Sequence, residues 1–153
     1  MTQLRMHHVG FFVDELAEGA RHFVTALGFR IESDVIEDRV QTARVQFLRQ
    51  PGERHWLELV SPLGEDSKLH GALRRGVALH HLCYEVTEIE AGLAQLRNGG
   101  CLTLGRPVPG AAYEGRPIAW AMDRLKGLIE LVAAGPGARS LAALERQIIR
   151  EAT

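Results

Sequence analysis

Two histidine-containing runs and two glutamate-containing runs recur along the chain of 153 residues. The run His7–Val13 (HHVGFFV) returns as His80–Val86 (HHLCYEV), and Leu57–Val60 (LELV) returns as Ile129–Val132 (IELV). The offsets are 73 and 72 residues, so a unit of about half the chain is duplicated almost in register. Each copy therefore carries a histidine and a glutamate, two residue types that bind metal ions.

The intervals inside the two copies also match. His8 precedes Glu58 by 50 residues, and His81 precedes Glu130 by 49. A fold with pseudo-twofold symmetry would bring these two imidazoles and two carboxylates to one point. We therefore predict one divalent metal ion per chain, bound by His8, Glu58, His81 and Glu130. Such a ligand set suits Zn, Co, Ni or Mn.

The setting of the two glutamates supports this hypothesis. Glu58 lies within the apolar run Trp56–Val60, and Glu130 lies within Leu128–Val132. Burying an unpaired carboxylate costs several kcal/mol or forces its protonation, whereas a bound cation would compensate for the burial. The alternative interpretation is that each glutamate lies on a solvated sheet face or pairs with an arginine.

Alternation along a strand decides which histidine of each pair faces the site. Adjacent residues in a strand point to opposite faces. His8 shares a face with the small Gly10, whereas His7 shares a face with apolar residues, so we favour His8 and its equivalent His81 as ligands. His7 and His80 are then packed polar residues near the site, with the reverse assignment left open.

Composition excludes several other classes of protein. A net charge of −1 with 24% charged residues provides no basic stripe for nucleic acid and no polybasic membrane patch. No apolar run approaches the length of a membrane span. Cys83 and Cys101 do not form a disulfide framework, so we expect a reduced, cytoplasmic protein.

Each half of the chain predicts a strand, a helix and three further strands. We place the first βαβββ module at 5–62, a linker with a short helix at 63–77, the second module at 78–133 and a terminal helix at 138–152. Asp14, Thr87 and Ser140 are the predicted N-caps of the long helices. The later strands are predicted at 29–35, 42–48, 55–60, 101–104, 117–122 and 127–132, with a Pro-Gly loop at 108–110. The fold class is α+β.

Five segments in this order resemble the vicinal oxygen chelate superfamily, which contains glyoxalases, bleomycin-resistance proteins and dioxygenases. They are HHVG, ALGF, LELVSPLGEDS, LHHLCYEV and GLIELV, and together they span about residues 5–133. Within the superfamily, methylmalonyl-CoA epimerase-like proteins resemble the chain most. The resemblance implies a curved, eight-stranded mixed sheet around a metal cleft, and it implies the same four ligands as the repeat.

The chain differs from the epimerases at one position that matters for proton transfer. Epimerases carry an acid/base glutamate before the second strand of the first module, where this chain has Val40. Glu37 and Asp38 lie nearby but out of register. Glu37 or a metal-site carboxylate, Glu58 or Glu130, is therefore the predicted proton carrier.

The implied chemistry is proton transfer at a carbon next to a metal-bound carbonyl. We expect a metal-dependent epimerase or isomerase acting on a methylmalonyl-CoA-type thioester. A glyoxalase I-type lyase acting on an oxo substrate is the alternative, and a non-enzymatic binding or resistance protein is a third. The expected partner is this small molecule, with no nucleic acid or membrane, and the resemblance implies a homodimer.

Overall fold

The computed structural model describes all residues, Met1–Thr153, which form nine strands, four α-helices and one short 3₁₀ turn. The strands are β1 (Arg5–Phe12), β2 (Arg30–Ile31), β3 (Ile36–Asp38), β4 (Ala43–Arg49), β5 (Trp56–Pro62), β6 (Leu79–Val86), β7 (Leu102–Pro109), β8 (Pro117–Met122) and β9 (Leu128–Ala133). The helices are α1 (Leu16–Leu27), α2 (His70–Arg74), α3 (Ile89–Asn98) and α4 (Leu141–Glu151). The 3₁₀ turn is Ala111–Tyr113. The predicted α+β class is confirmed.

The chain divides into two compact units. One, here called the first-half unit, is Val9–His80, and the other, the second-half unit, combines Met1–His8 with His81–Thr153. Strands β1 and β6 each run from one unit into the other. The module boundaries inferred from the sequence stay a prediction.

In the first-half unit, helix α1 packs on strands arranged in the order β2-β4-β5-β1. Strands β2, β3 and β5 all pair with β4 in antiparallel fashion. The core consists of buried side chains from α1, β4 and β5: Leu16, Ala20, Leu48, Leu57 and Leu59. Helix α1 ends at Gly28, which has a left-handed φ of 72° that favours glycine.

The first-half unit contains one strand more than predicted, which makes nine in the chain rather than eight. The strand predicted at 29–35 contains only the short β2, and the additional strand β3 begins after it, beyond Ser33 and Asp34. The Ser33 hydroxyl accepts the Phe47 N–H at 2.9 Å and donates to the Asp34 carbonyl at 2.8 Å. A side chain therefore replaces a ladder hydrogen bond at this point, and the strand is interrupted.

In the second-half unit the strand order is β6-β9-β8-β7. Strand β6 pairs with β9 in parallel, and β8 pairs with both β9 and β7 in antiparallel fashion, so the pairing is mixed, as predicted. Helix α3 packs on this layer through Gly92, where an added Cβ would lie 2.9 Å from Leu131 Cδ1. The core around the helix includes Val86, Ile89, Leu93, Ala119 and Leu131.

The register of these strands separates an apolar face from a polar face. Glu130 lies beside Cys83 of β6 and beside Trp120 of β8. Since alternate residues share a face, His81 and Glu130 lie on one face, while Leu131 lies on the face that packs against α3. This alternation places the predicted ligands opposite the helix.

Two of the three predicted N-caps are wrong. The N-cap residues are Glu15 for α1 and Glu88 for α3, rather than Asp14 and Thr87, and neither makes a side-chain capping bond. Ser140 is confirmed, because its hydroxyl accepts the Ala143 N–H at 3.2 Å.

Other differences lie at element ends. The short helix predicted in the linker is α2, and β7 continues beyond the strand predicted at 101–104 into the predicted Pro-Gly loop, as far as Pro109. No helix in the chain is long and apolar enough to span a membrane.

Candidate metal centre

Three of the four predicted ligands lie together in the second-half unit. His8 on β1, His81 on β6 and Glu130 on β9 are all buried. The Nε2 atoms of His8 and His81 are 2.7 Å apart, and Glu130 Oε2 lies 3.3 Å from the first and 3.1 Å from the second. Two ring nitrogens and one carboxylate oxygen therefore point at a common centre.

These spacings fit the coordination shell of a divalent ion. Metal–ligand bonds of about 2.0–2.1 Å place neighbouring ligand atoms about 2.8–3.4 Å apart in octahedral or tetrahedral geometry. The three distances of 2.7, 3.1 and 3.3 Å lie at or close to this range. Imidazole nitrogen and carboxylate oxygen are also donors that Zn, Co, Ni and Mn accept. The residues present therefore fit a metal ion.

The surroundings of Glu130 keep its carboxylate in the negatively charged form that binds metal ions. Burial is the largest influence and raises the pKa of Glu130, but the contacts with His8 and His81 together outweigh it and lower the pKa to about 2. The carboxylate is therefore ionised at neutral pH. A buried ionised group of this kind needs a compensating positive charge, which a cation can provide.

Glu58, the fourth predicted ligand, belongs to the first-half unit. It is 6% exposed in β5, beside Phe47 of β4. Its same-face neighbours Trp56 and Val60 are buried as well, as the strand pattern predicted. Glu58 is therefore a buried carboxylate in an apolar strand, which is the costly setting that suggested a metal ligand in the first place.

The acidic residues near the expected base position are also in the first-half unit. Glu37 is exposed in β3, with its carboxylate 3.9 Å from Arg39. Asp38 accepts the Gln41 N–H at 2.9 Å. Val40 follows in the turn before β4 and is 58% exposed. The roles of these residues stay predictions.

His7 is closer to His8 than simple alternation predicts. The two rings meet edge to face, with their Nδ1 atoms 2.8 Å apart, and His7 Nε2 lies 2.6 Å from the carbonyl oxygen of Arg139. A fully buried imidazole needs a partner for each nitrogen, and these two contacts supply them. Burial, followed by the neighbouring His8, lowers the pKa of His7 to about 3, so its ring is neutral.

Tyr113 is a neighbour of the site that the sequence did not predict. Its ring stacks against that of His8, and its hydroxyl lies 3.5 Å from His8 Nδ1. The residue belongs to the 3₁₀ turn 111–113, which is brought to the site by tertiary packing. Its position in the sequence, inside a loop, offers no local signal of this.

The chain belongs to the Glyoxalase/Bleomycin resistance protein/Dioxygenase superfamily, whose family model matches residues 7–120. The predicted superfamily is therefore confirmed.

Among its relatives, the chain is 32% identical over 116 residues to the ethylmalonyl-CoA/methylmalonyl-CoA epimerase of Cereibacter sphaeroides, covering 74% of this chain and 84% of that protein. It is 29% identical to human mitochondrial methylmalonyl-CoA epimerase, covering 83% of this chain and 72% of that one. The solved structure of methylmalonyl-CoA epimerase from Mycobacterium tuberculosis has a TM-score of 0.74 and 26% identity, covering 86% of this chain and 89% of that one. These relatives confirm the prediction of an enzyme.

Proposed function

We propose that this protein is a metal-dependent epimerase that moves a proton at the carbon next to the thioester carbonyl of a methylmalonyl-CoA-type substrate. The observation that carries the proposal is the convergence of His8, His81 and Glu130 in a chain 32% identical to an epimerase named for ethylmalonyl-CoA and methylmalonyl-CoA. A proton shift next to a carbonyl is a reaction that such a site can assist without redox chemistry.

The proposed ligands are Nε2 of His8, Nε2 of His81, a carboxylate oxygen of Glu130 and the carboxylate of Glu58. The first three are supported by their mutual distances, and Glu58 is supported by the sequence repeat and by its own burial. A bound divalent ion would polarise the substrate carbonyl and stabilise the negative charge that develops on its oxygen. The two carboxylates would balance the double charge of that ion, and the two neutral imidazoles would donate lone pairs to it.

Proton transfer requires a base within hydrogen-bonding distance of the substrate C–H group. Val40 has no titratable group, so the proton carrier in this proposal is Glu130, Glu58 or Glu37. Glu130 can accept a proton because its carboxylate is ionised at neutral pH. Glu37 suits the role of a carrier open to solvent because its side chain is half-exposed.

The test is exchange of the substrate α-proton with solvent deuterium. Protein reconstituted with Zn, Co, Ni or Mn is incubated in D₂O with methylmalonyl-CoA or ethylmalonyl-CoA, and deuterium uptake is followed by mass spectrometry. We expect uptake with at least one metal, and its loss in His8→Ala. The matched control is His22→Ala, which removes an exposed histidine from α1 and should exchange like wild type.

Absence of exchange with both thioesters would contradict the proposal. Turnover of a glutathione hemithioacetal under the same conditions would instead support the lyase alternative. The homodimer and the cytoplasmic location stay predictions. Light scattering of the purified protein tests the first of these.

A further inference from the structure

We propose that His7 is a positioning residue that fixes a ring hydrogen of His8 on Nδ1 and so presents the Nε2 lone pair of His8 as the metal ligand. The inference rests on the proposed metal site. It follows from the direction of two hydrogen bonds, and the donor and acceptor of each can be assigned in turn.

The first assignment starts at the backbone of Arg139. A carbonyl oxygen only accepts hydrogen bonds, and the oxygen of Arg139 lies 2.6 Å from His7 Nε2. The hydrogen of this contact must therefore reside on His7 Nε2. Without it, two lone pairs would face each other at close range in a buried setting.

The second assignment concerns the hydrogen bond at the other ring nitrogen of His7, Nδ1. A neutral imidazole carries one ring hydrogen, and in His7 that hydrogen is already on Nε2. His7 Nδ1 is consequently an acceptor, and its neighbour at 2.8 Å is Nδ1 of His8. His8 must then carry a hydrogen on Nδ1 and donate it to His7. Since metal ions bind an unprotonated ring nitrogen, the coordinating atom of His8 is Nε2.

This Nε2 atom of His8 also faces the other proposed ligands. It lies 2.7 Å from His81 Nε2 and 3.3 Å from Glu130 Oε2. The Arg139 carbonyl and the geometry of the candidate metal centre therefore both indicate Nε2 as the coordinating atom of His8. The two arguments are independent, because they concern opposite sides of the His8 ring. A hydrogen bond on the far nitrogen of a metal-binding histidine commonly fixes its tautomer and orientation.

Other groups also lie near the His7–His8 contact. The Tyr113 hydroxyl lies 3.5 Å from His8 Nδ1, and the Cys83 thiol lies within 4.8 Å of ring nitrogens of both histidines. The Tyr113 contact is at the limit of hydrogen-bond length, and a thiol is a weak donor. The contact of 2.8 Å between the rings is therefore stronger than the Tyr113 and Cys83 contacts, and we assign the hydrogen to it.

The Arg139 carbonyl oxygen has a fixed position as an acceptor for His7 because other hydrogen bonds hold the segment that contains it. Arg139 adopts a positive φ of 58°, and its Nε donates to the carbonyl oxygen of Ala112. Its neighbour Ala138 accepts from Arg116 at 3.0 Å and donates to Glu114 at 3.2 Å. The carbonyl thus belongs to a loop that is tied to the 3₁₀ turn region by several hydrogen bonds.

A pair of substitutions separates the two contacts of His7. In His7→Asn, the short amide places an oxygen near the position of Nδ1, so it can accept from His8 but does not reach Arg139. In His7→Gln, the longer amide reaches toward Arg139 but lacks an acceptor at the Nδ1 position. The matched control is His80→Gln in the other copy of the repeat, where the half-buried ring lies against Phe12.

The first measurement is the ¹⁵N chemical shift of the imidazole nitrogens in metal-free protein. We expect His7 to be protonated on Nε2 alone and His8 to be protonated on Nδ1. The second measurement is zinc affinity by competition with a chelator. We expect the Kd to rise about 10- to 100-fold in His7→Gln. We expect His7→Asn to stay closer to wild type and His80→Gln to equal it.

An unprotonated Nδ1 of His8 in the wild-type protein would overturn the inference. Wild-type zinc affinity in folded His7→Gln would do the same. Neither readout uses turnover, so the two proposals can fail separately. A protein that shows the expected tautomers and zinc affinities but exchanges no α-proton would refute the epimerase proposal while supporting the role of His7.

Discussion

Replacing Glu85 should destabilise the attachment of the C-terminal helix. Glu85 is buried in β6, and its Oε2 atom accepts the N–H of Leu141 at 3.0 Å, at the start of α4. The guanidinium of Arg116 lies 3.8 Å from the same oxygen. One carboxylate thus satisfies a backbone donor at the positive end of a helix and also faces a cation.

The size of the effect follows from these contacts. A hydrogen bond to a charged group contributes about 1.5–3 kcal/mol, and its loss in Glu85→Ala also leaves the Leu141 N–H buried. We therefore expect Glu85→Ala to lower the free energy of unfolding by about 2–3 kcal/mol. Glu85→Gln keeps an acceptor and loses only the charge, so about 1 kcal/mol is expected. For a chain of this size, each kcal/mol corresponds to roughly 2–4 °C in Tm.

Urea unfolding of metal-free protein at neutral pH measures these differences. The matched control is Glu88→Ala, because Glu88 is an exposed glutamate at the start of α3 that makes no capping bond. We expect the control to change stability by less than about 0.5 kcal/mol. If Glu85→Ala were no more destabilising than Glu88→Ala, the assigned hydrogen bond would not contribute to holding α4 in place.

Three further predictions concern the metal site and its chemistry. Purified protein should bind about one divalent ion per chain, and His8→Ala and Glu130→Ala should lose it while staying folded; unchanged metal content in both would refute the ligand assignment. Val40→Glu should raise the rate of α-proton exchange by supplying the missing base, and full activity in a Glu37→Gln, Asp38→Asn double variant would show that neither loop acid moves the proton. The reaction should run without oxygen, stop when a chelator is added and resume with a divalent ion, whereas oxygen consumption in step with turnover would indicate a dioxygenase.

The sequence predicted the fold class and most elements because the apolar pattern is strong in both copies of the repeat. Strand β8, for example, has the predicted bounds of Pro117–Met122. The prediction failed where side chains compete with backbone hydrogen bonds. The Ser33 hydroxyl accepts a backbone N–H of β4 and so interrupts the strand pairing. Asp14 and Thr87 are residue types that favour N-caps, but α1 and α3 each begin one residue later than those caps would require. Such choices depend on local backbone geometry, which residue type alone does not determine.

At the candidate site, too, the sequence predicted some residues and missed others. The matching intervals identified His8, Glu58, His81 and Glu130 as a set, and His8, His81 and Glu130 lie together in the second-half unit. Tyr113 and the carbonyl of Arg139 could not be predicted, because the first lies in a loop and the second is a backbone atom without a residue signature. Spacing in the sequence reveals residues that are repeated, but not the groups that the fold brings beside only one copy.

This difference between the copies gives the duplicated histidines unequal roles. His7 and His80 occupy equivalent positions in the repeat, yet His7 is fully buried between His8 and the Arg139 carbonyl, whereas His80 is half-buried against Phe12. The Arg139 carbonyl lies in the segment that follows the second module and leads into α4. This segment thus supplies an acceptor to His7. In our proposal this acceptor fixes the tautomer of His8, so the terminal segment breaks the symmetry of the repeat at a metal ligand.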